Sequence, residues 1–484
     1  MKLQFVKKKF IPIIALFLLP SVANAVIIYG NAGDYIDETL TLKVYLDEII
    51  FTEKILDTQV VDSLGDFEFS FELPAATTCF FDLGAYRAIF FIEPSKSYLI
   101  NLPPNKPLTE AQKFNPYFKP QKIALTVRDV DSTDINLQIA HFDKVYDYSY
   151  VKCSLYSGKI DSIRAEIENI ESIFANDDNN FFRLYRQYKY VLMMNMNEVL
   201  SPALAISYFA KLPVSYGNIA FWEAFNTLFN GFFDTFGTRS PEQIAMDEAI
   251  YAGDYEALST YLKERFGLIE SNFRELIILK GLYDAYFSDQ RNAPYILKIM
   301  SKWQADFSVY ENHIIWENVL SYLKSLAPKT EAYNFKLQDE KGKTYQLSDF
   351  KGKYVYLNFA NTRIALSKKD FGILERYGET YEKDLYVVNI FTDYSRSDMS
   401  LFLKSLNPKN TTSKNINLYW NADQNLITKY QIINIPTYFL IDRSGELLLV
   451  PAPTPDEDFE QKFEAILQKE KLQEPKKEED DIWK

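Results

Sequence analysis

The stretch that decides the fold runs from Lys353 to Asp370 and reads KYVYLNFANTRIALSKKD. In its first part, β-branched and aromatic residues occur in alternation, which predicts a strand. A short loop and a helix follow this strand. A second stretch, at 427–446, reads ITKYQIINIPTYFLIDRSGE. It predicts the end of a helix, a proline turn, and a strand closed by a glycine turn. Strands that alternate with helices predict a mixed sheet covered on both faces.

A third stretch, FKLQDEKGKTYQLSDFKGK at 335–353, completes a pattern that resembles the TlpA-like branch of the thioredoxin superfamily. That branch contains thiol-disulfide oxidoreductases and AhpC/TSA-like proteins, and its strand LNFW leads to a CxxC motif at the start of the helix. Ile364 and Ser367 stand where the two cysteines would be. The resemblance therefore implies a thioredoxin fold without its redox site.

The substitution at these two positions removes the chemistry because thiol-disulfide exchange needs a thiolate. Isoleucine has no proton that the field of a helix N-terminus could help to remove. Ser367 could instead cap the helix, with Asp370 three residues later in a capping pattern. A catalytic serine is disfavoured because it needs an adjacent base, and His141 and His313 are both distant in sequence. No catalytic residue, metal site or cofactor is predicted.

The proline turn offers a second kind of site. Ile435, Pro436 and Thr437 match the proline loop of the family, where the resemblance implies a cis bond. Relatives use the backbone of the residue before this proline to hold an extended substrate strand. The alternative is that Pro436 serves only the turn geometry. Arg363 adds a charge at the position of the family's tryptophan, so these four residues are the candidate peptide-binding residues.

The N-terminal residues 1–25 predict a secretory signal. A basic start is followed by an apolar run at 10–19 and by the small residues Ala23-Asn24-Ala25. The apolar run is too short to span a membrane, and no later segment is long and apolar enough to do so. We therefore expect an exported, periplasmic protein, cleaved near Ala25, that is not an integral membrane protein.

The charge and the cysteines limit the partners and the covalent links. The formal net charge is −13, and loss of the signal lysines makes it more negative, so nucleic-acid binding is disfavoured. Cys79 and Cys153 are the only cysteines. They could form one disulfide in an oxidising compartment, or they could be two buried thiols. Neither lies near the stretch at 353–370.

Short strand-like segments at 26–102 predict an N-terminal β-sandwich. This part also resembles the small β-domain that precedes thioredoxin-like domains in exported proteins of Bacteroidetes. The segments that carry the resemblance are YGN at 29–31, SLGDFEFSF at 63–71 and FIEPSKSY at 91–98. Five prolines at 103–132 predict a linker with neither helix nor strand.

The rest of the chain completes a multidomain α+β protein. Helical periodicity at 133–327 predicts a central α-helical domain. Residues 328–470 are the predicted thioredoxin-like α/β domain, and 471–484 are a charged, solvated tail. Five aromatic residues of the helical domain could line a ligand groove, although helical spacing favours a core: Trp222, Phe225, Phe229, Phe232 and Phe233.

These observations favour a non-catalytic exported protein whose thioredoxin-like domain is a structural or peptide-binding module. The expected partner is a protein or peptide of the cell envelope. Two alternatives remain open at this point. One is a thiol-disulfide oxidoreductase or peroxide-related enzyme that acts through an unrecognised residue. The other is a binder of glycans or small ligands that uses the aromatic residues of the helical domain.

Overall fold

The fold was obtained as a computed structural model. Its description covers residues 25–109, 112, 118–156, 160–175, 177–196, 202–234, 236, 240–288, 293–303, 307–393, 395–406, 414–421, 423–432 and 435–473. The predicted signal at 1–25 therefore lies outside the described residues except for Ala25, and most of the predicted tail does as well. Among the described residues, no helix combines the length and the apolar character that crossing a bilayer requires.

The N-terminal region contains two sheets that enclose one core. The first sheet has the strand order β4-β1-β7-β9 and the second has the order β3-β2-β5-β6-β8. Alternate residues of both sheets, such as Ile28, Leu42 and Phe81, pack in a shared core, as expected of a sandwich. The strands are β1 (Ala25–Asn31), β2 (Thr39–Tyr45), β3 (Glu53–Val60), β4 (Asp66–Glu72), β5 (Thr77–Leu83), β6 (Tyr86–Ile92), β7 (Ser97–Asn101), β8 (Gln121–Ala124) and β9 (Thr126–Arg128).

Two features of this sandwich differ from the sequence-based expectation. The segment predicted to be a linker, 103–132, contributes β8 to one sheet and β9 to the other. Its prolines precede these strands, so they do not interrupt the ladders. The apolar residues Ile49 and Ile50, although inside the segment 26–102 predicted to form strands, lie in the β2–β3 loop and pack against the helical core.

The central region is helical, as predicted. Its described helices are α1 (Ile135–Tyr156), α2 (Ile160–Ile173), α3 (Asn180–Met194), α4 (Pro202–Phe209), α5 (Ile219–Phe229), α6 (Pro241–Ala252), α7 (Tyr255–Phe266), α8 (Ser271–Ser288), α9 (Ala293–Lys302) and α10 (Tyr310–Ser325). Several begin at side chains that accept a backbone N–H of the first turn: Asn179, Asn218, Ser240 and Asp254. Such caps explain why these helices start where they do.

The aromatic residues of α5 and the turn after it are core residues. Trp222, Phe225, Phe229, Phe232 and Phe233 are each at most 2% exposed and belong to one apolar cluster. The interpretation that favoured a core over a groove is confirmed for these five residues. They cannot present rings to a ligand in this structure.

The C-terminal region is an α/β domain with a seven-stranded sheet in the order β11-β10-β14-β13-β12-β15-β16. Its elements are β10 (Lys336–Asp339), β11 (Thr344–Gln346), β12 (Tyr354–Ala360), α11 (Ala365–Thr380), β13 (Leu385–Phe391), α12 (Arg396–Leu406), β14 (Ile416–Tyr419), α13 (Gln424–Lys429), β15 (Thr437–Ile441), β16 (Leu447–Leu449) and α14 (Phe459–Gln473). All seven residues of β12 are buried, as expected of an interior strand of a sheet covered on both faces.

The central strand β12 separates two apolar cores. Leu357 and Phe359 face a core that includes residues of α12 and α13. Tyr354 and Tyr356 face a second core with residues of α11 and α14. The sheet is therefore covered on both faces, as the alternation of strands and helices predicted.

Candidate functional site

The candidate site lies at one edge of the C-terminal sheet. Strand β12 pairs in parallel with β13 through Ala360 and Phe391, so both carboxyl ends meet at this edge. Strand β15 runs antiparallel to β12 and begins with Thr437 opposite Phe359. The loop before α11 and the proline loop before β15 therefore lie at the same edge of the sheet.

Ile364 is located at the tip of α11. It is the N-cap residue of the helix, its side chain makes no capping hydrogen bond, and it is half-buried. The first helical residue is Ala365. The side chain that the resemblance aligns with the first cysteine thus lies at the helix N-terminus. It is a hydrocarbon, so the field of the helix has no thiol to ionise there.

Ser367 does not cap the helix, so that prediction was wrong. The helix begins three residues earlier than the capping pattern implied, and Ser367 lies buried inside its first turn. Its Oγ accepts a hydrogen bond from the backbone N–H of Asn361, at 3.3 Å. The hydroxyl therefore fixes the loop before the helix.

Asp370, the expected partner in that capping pattern, is also buried. Its Oδ2 accepts a hydrogen bond from Tyr438 Oη at 2.6 Å. Its Oδ1 is buried with no hydrogen-bond partner among the described residues. Burial raises the pKa of Asp370. The site therefore contains a buried carboxyl group, whereas the predicted capping pattern assigned Asp370 to the end of the helix.

The loop between β12 and α11 is fixed by a second buried acid, Asp393. Thr362 donates its backbone N–H to Asp393 Oδ1 at 3.1 Å, and its hydroxyl donates to the same oxygen. Burial raises the pKa of Asp393. Asp393 was not among the predicted site residues, although the polar pair Thr392-Asp393 directly after the apolar strand β13 indicated polar side chains at this sheet edge.

The surface of the site combines a charged side chain with the proline loop. The side chain of Arg363 is 63% exposed, and its Nη2 lies 3.9 Å from Asp398 Oδ2. The Ile435–Pro436 bond is cis, as the resemblance implied. Ile435, Pro436 and Thr437 are half-buried. The four candidate peptide-binding residues therefore come from two loops at one sheet edge.

Comparisons with known proteins agree with this geometry. Residues 328–450 match the model of the AhpC/TSA family. The C-terminal domain is an AhpC/TSA thioredoxin-like domain. The match covers about a quarter of the chain and none of the sandwich or the helical domain.

The related proteins are thiol-disulfide oxidoreductases. The chain is 29% identical to ResA of Bacillus subtilis over 148 residues, which are 30% of this chain and 79% of that protein. It is also 29% identical to ResA of Bacillus thuringiensis over 143 residues, 29% of this chain and 76% of that protein. The thioredoxin-like domain is thus a distant relative of these enzymes.

Similar solved structures include a thiol:disulfide interchange protein from a Bacteroides species and the exposed lipoprotein thioredoxin of Streptococcus pneumoniae. The first has a TM-score of 0.27 and 22% identity, covering 30% of this chain and 92% of its own. The second has a TM-score of 0.23 and 26% identity, covering 29% of this chain and 99% of its own.

The two cysteines lie in other domains than the thioredoxin-like one. Cys79 is buried in the sandwich core, where its Sγ lies 3.6 Å from the carbonyl oxygen of Phe90. Cys153 is buried on α1. They are not joined to each other, so the disulfide alternative does not hold in this structure. Burial raises the pKa of both thiols, which disfavours the reactive thiolate.

Among the described residues, no group of three or more histidine, cysteine, aspartate or glutamate side chains is placed to hold a metal ion. The described residues of the candidate site offer backbone groups, Arg363, the buried Ser367 and the buried acids Asp370 and Asp393. Such a set can bind a chain but contains no nucleophilic sulfur.

Proposed function

We propose that the thioredoxin-like domain is a redox-inactive module that binds an extended segment of a protein or peptide at the cell envelope. The observation that carries this proposal is Ile364 at the N-cap of α11, with Ser367 buried behind it. Neither side chain can form a mixed disulfide. The export signal read from residues 1–25 supports the envelope as the location.

The shape of the site supports binding over a purely structural role. The half-buried proline loop and the exposed Arg363 lie at the same edge of the sheet, where backbone groups and a positive charge that also faces Asp398 are exposed. An extended chain laid along this loop would meet main-chain groups first, and an acidic side chain of that chain would be attracted by Arg363 in competition with Asp398. The oxidoreductase alternative has no comparable support because residues 328–470 contain no cysteine.

The absence of redox activity is testable with a model disulfide substrate. We expect no exchange above the uncatalysed rate, because exchange requires a thiolate and both thiols are buried. The control is Cys79→Ser with Cys153→Ser, which should behave identically. Exchange that persists in this control would contradict the proposal.

A gain-of-function variant tests the position of the lost site. Ile364→Cys combined with Ser367→Cys should acquire disulfide exchange, because it places a thiol at the positive end of α11. Titration against graded reductant measures the potential of the new pair. An inert double variant would show that these two positions do not correspond to the redox site of the relatives.

Peptide binding is testable with a library of short linear peptides and a thermal-shift readout. Peptides that bind should raise the melting temperature by mass action. Arg363→Glu should weaken acidic binders by about tenfold or more, since it replaces an attractive charge by a repulsive one. Arg376→Glu is the matched control, because Arg376 lies on the helix that follows Arg363, is similarly exposed and pairs with Glu460. Equal loss in both variants, or no binding peptide at all, would favour a structural role.

A further inference from the structure

The junction between the β-sandwich and the helical domain contains a buried carboxyl group. The β2–β3 loop, residues 46–52, reaches the helical domain, where Ile49 is 4% exposed within its core. The side-chain amide of Asn226 on α5 donates a hydrogen bond to the carbonyl oxygen of Glu48, at 2.9 Å. Glu48 is only 7% exposed. Its carboxyl group is therefore enclosed by the two domains.

The charges around Glu48 only partly compensate its burial. Lys122 and Arg87, from the edge of the sandwich, attract a negative charge there, whereas Asp47 and Glu223 repel it. Burial is the largest influence and raises the pKa of Glu48 from 4.5 to about 7. Near neutral pH this group is thus close to changing its charge.

A second acid, Asp143 on α1, faces the same glutamate of α5. Tyr185 Oη donates to both of its carboxylate oxygens, at 3.0 and 3.1 Å. Lys189 attracts a negative charge on Asp143, and Asp147 and Glu223 repel it. Burial is again the largest influence and raises the pKa of Asp143 from 3.8 to about 6.

Lys189 pairs with the glutamate that repels both acids. Lys189 Nζ lies 2.6 Å from Glu223 Oε2, and the lysine side chain is 16% exposed. Its charge is therefore already matched by Glu223. A negative charge on Asp143 has to share Lys189 with Glu223, and one on Glu48 depends on Lys122 and Arg87 of the sandwich.

We propose that the acid junction, defined as Glu48, Asp143, Lys189 and Glu223, is a pH-responsive joint between the β-sandwich and the helical domain. When Glu48 and Asp143 are protonated, the β2–β3 loop packs against α5. When both lose their protons, their negative charges add to that of Glu223, while Lys189 already pairs with Glu223 and Arg87 pairs with Asp82 and Glu53, and the loop loosens. The joint thus couples the pH of the compartment to the contact between two domains.

The direction of the effect follows from linkage. A carboxyl whose pKa is higher in the packed state than in the open state binds its proton more tightly when packed. Its contribution to packing is therefore fully present below the ordinary pKa and is lost as the pH rises through the raised one. For Glu48 this window runs from 4.5 to about 7, and for Asp143 from 3.8 to about 6.

Hydrogen exchange of the β2–β3 loop in the full chain measures this loosening. The backbone N–H of Leu46, which donates to Thr52 at 2.8 Å, is among the amides that should respond. After correction for the intrinsic exchange rate, we expect opening to increase at least about tenfold between about pH 5 and pH 8, because a pKa raised by more than one unit changes the equilibrium by more than that factor. Glu48→Gln should reduce this increase several-fold, and Glu48→Gln combined with Asp143→Asn should reduce it to less than about threefold.

Two further variants make the test decisive. Glu68→Gln, at an exposed position on β4, is the matched control and should keep the full pH effect. Glu223→Gln, whose side chain is 49% exposed, should fold even if Glu48→Gln does not, and it should shrink the effect by removing the shared repulsion. A wild-type loop that opens equally at both pH values would overturn the proposal. So would a full pH effect in the Glu223 variant and in every Glu48 variant that folds.

Discussion

Asp370 and Tyr438 form a buried pair below the tip of α11, and their hydrogen bond links this helix to β15. The phenol of Tyr438 supplies the one hydrogen bond described for this carboxyl group. Loss of the only donor to a buried carboxyl group costs free energy of folding, because no hydrogen bond then compensates the desolvation of that group. At the scale of single residues, the site therefore depends on a contact between a helix and a strand that are distant in sequence.

Replacing Tyr438 by phenylalanine tests this contact. Tyr438→Phe should lower the free energy of unfolding by about 1–3 kcal/mol, because it leaves both oxygens of Asp370 buried without a donor. Denaturant unfolding measures the loss. The same change in an Asp370→Asn background should cost less, since the amide carries no charge, and the difference gives the coupling of the pair. Equal costs in both backgrounds would show that the hydrogen bond does not contribute.

At the scale of elements, local sequence predicted much of what forms. Strand β12 forms within the stretch 353–370 whose alternation predicts a strand, and β15 follows the predicted proline turn. Apolar periodicity and turn residues are local signals, so they identify such elements without knowledge of the fold. The start of α11 was less well predicted, because Ser367 is recruited by the preceding loop and not by the helix end.

The strands β8 and β9 were not predicted, although their sequence carries a strand signal. The prolines before them favoured a linker, but Ile123, Leu125 and Val127 alternate with other residues in the strand period. Leu125 and Val127 are buried in the sandwich core. The tertiary structure supplies the partners of their backbone groups: β8 pairs with β6, and β9 pairs with β7.

At the scale of the whole molecule, the sandwich and the helical domain meet closely. The backbone N–H of Thr78 on β5 donates to the carbonyl oxygen of Gly217, at 2.7 Å. A Cβ atom at Gly217 would lie 2.6 Å from Thr77 Oγ1 and 3.1 Å from the carbonyl oxygen of Ala76. This position therefore needs glycine because two domains approach each other there.

Gly217→Ala tests the importance of this approach. We expect a loss of about 1–3 kcal/mol in unfolding free energy, because the two domains must move apart to admit the methyl group. Gly372→Ala is the control: a Cβ at Gly372 meets no atom within 4 Å, apart from its own helix. That variant should be neutral or more stable by up to about 1 kcal/mol, since alanine favours a helix. The approach is unimportant if Gly217→Ala unfolds at the same denaturant concentration as wild type.

The sequence by itself determined the succession of a strand-rich, a helical and a mixed region, and the absence of cysteine from residues 328–470. The former follows from local periodicity, and the latter is a matter of composition that no fold can change. Only the tertiary structure decided that Cys79 and Cys153 lie in separate buried places, that Asp370 and Asp393 are enclosed, and that Glu48 meets the helical domain. Burial and pairing between distant segments set these properties, because the cost of a charge depends on everything packed around it.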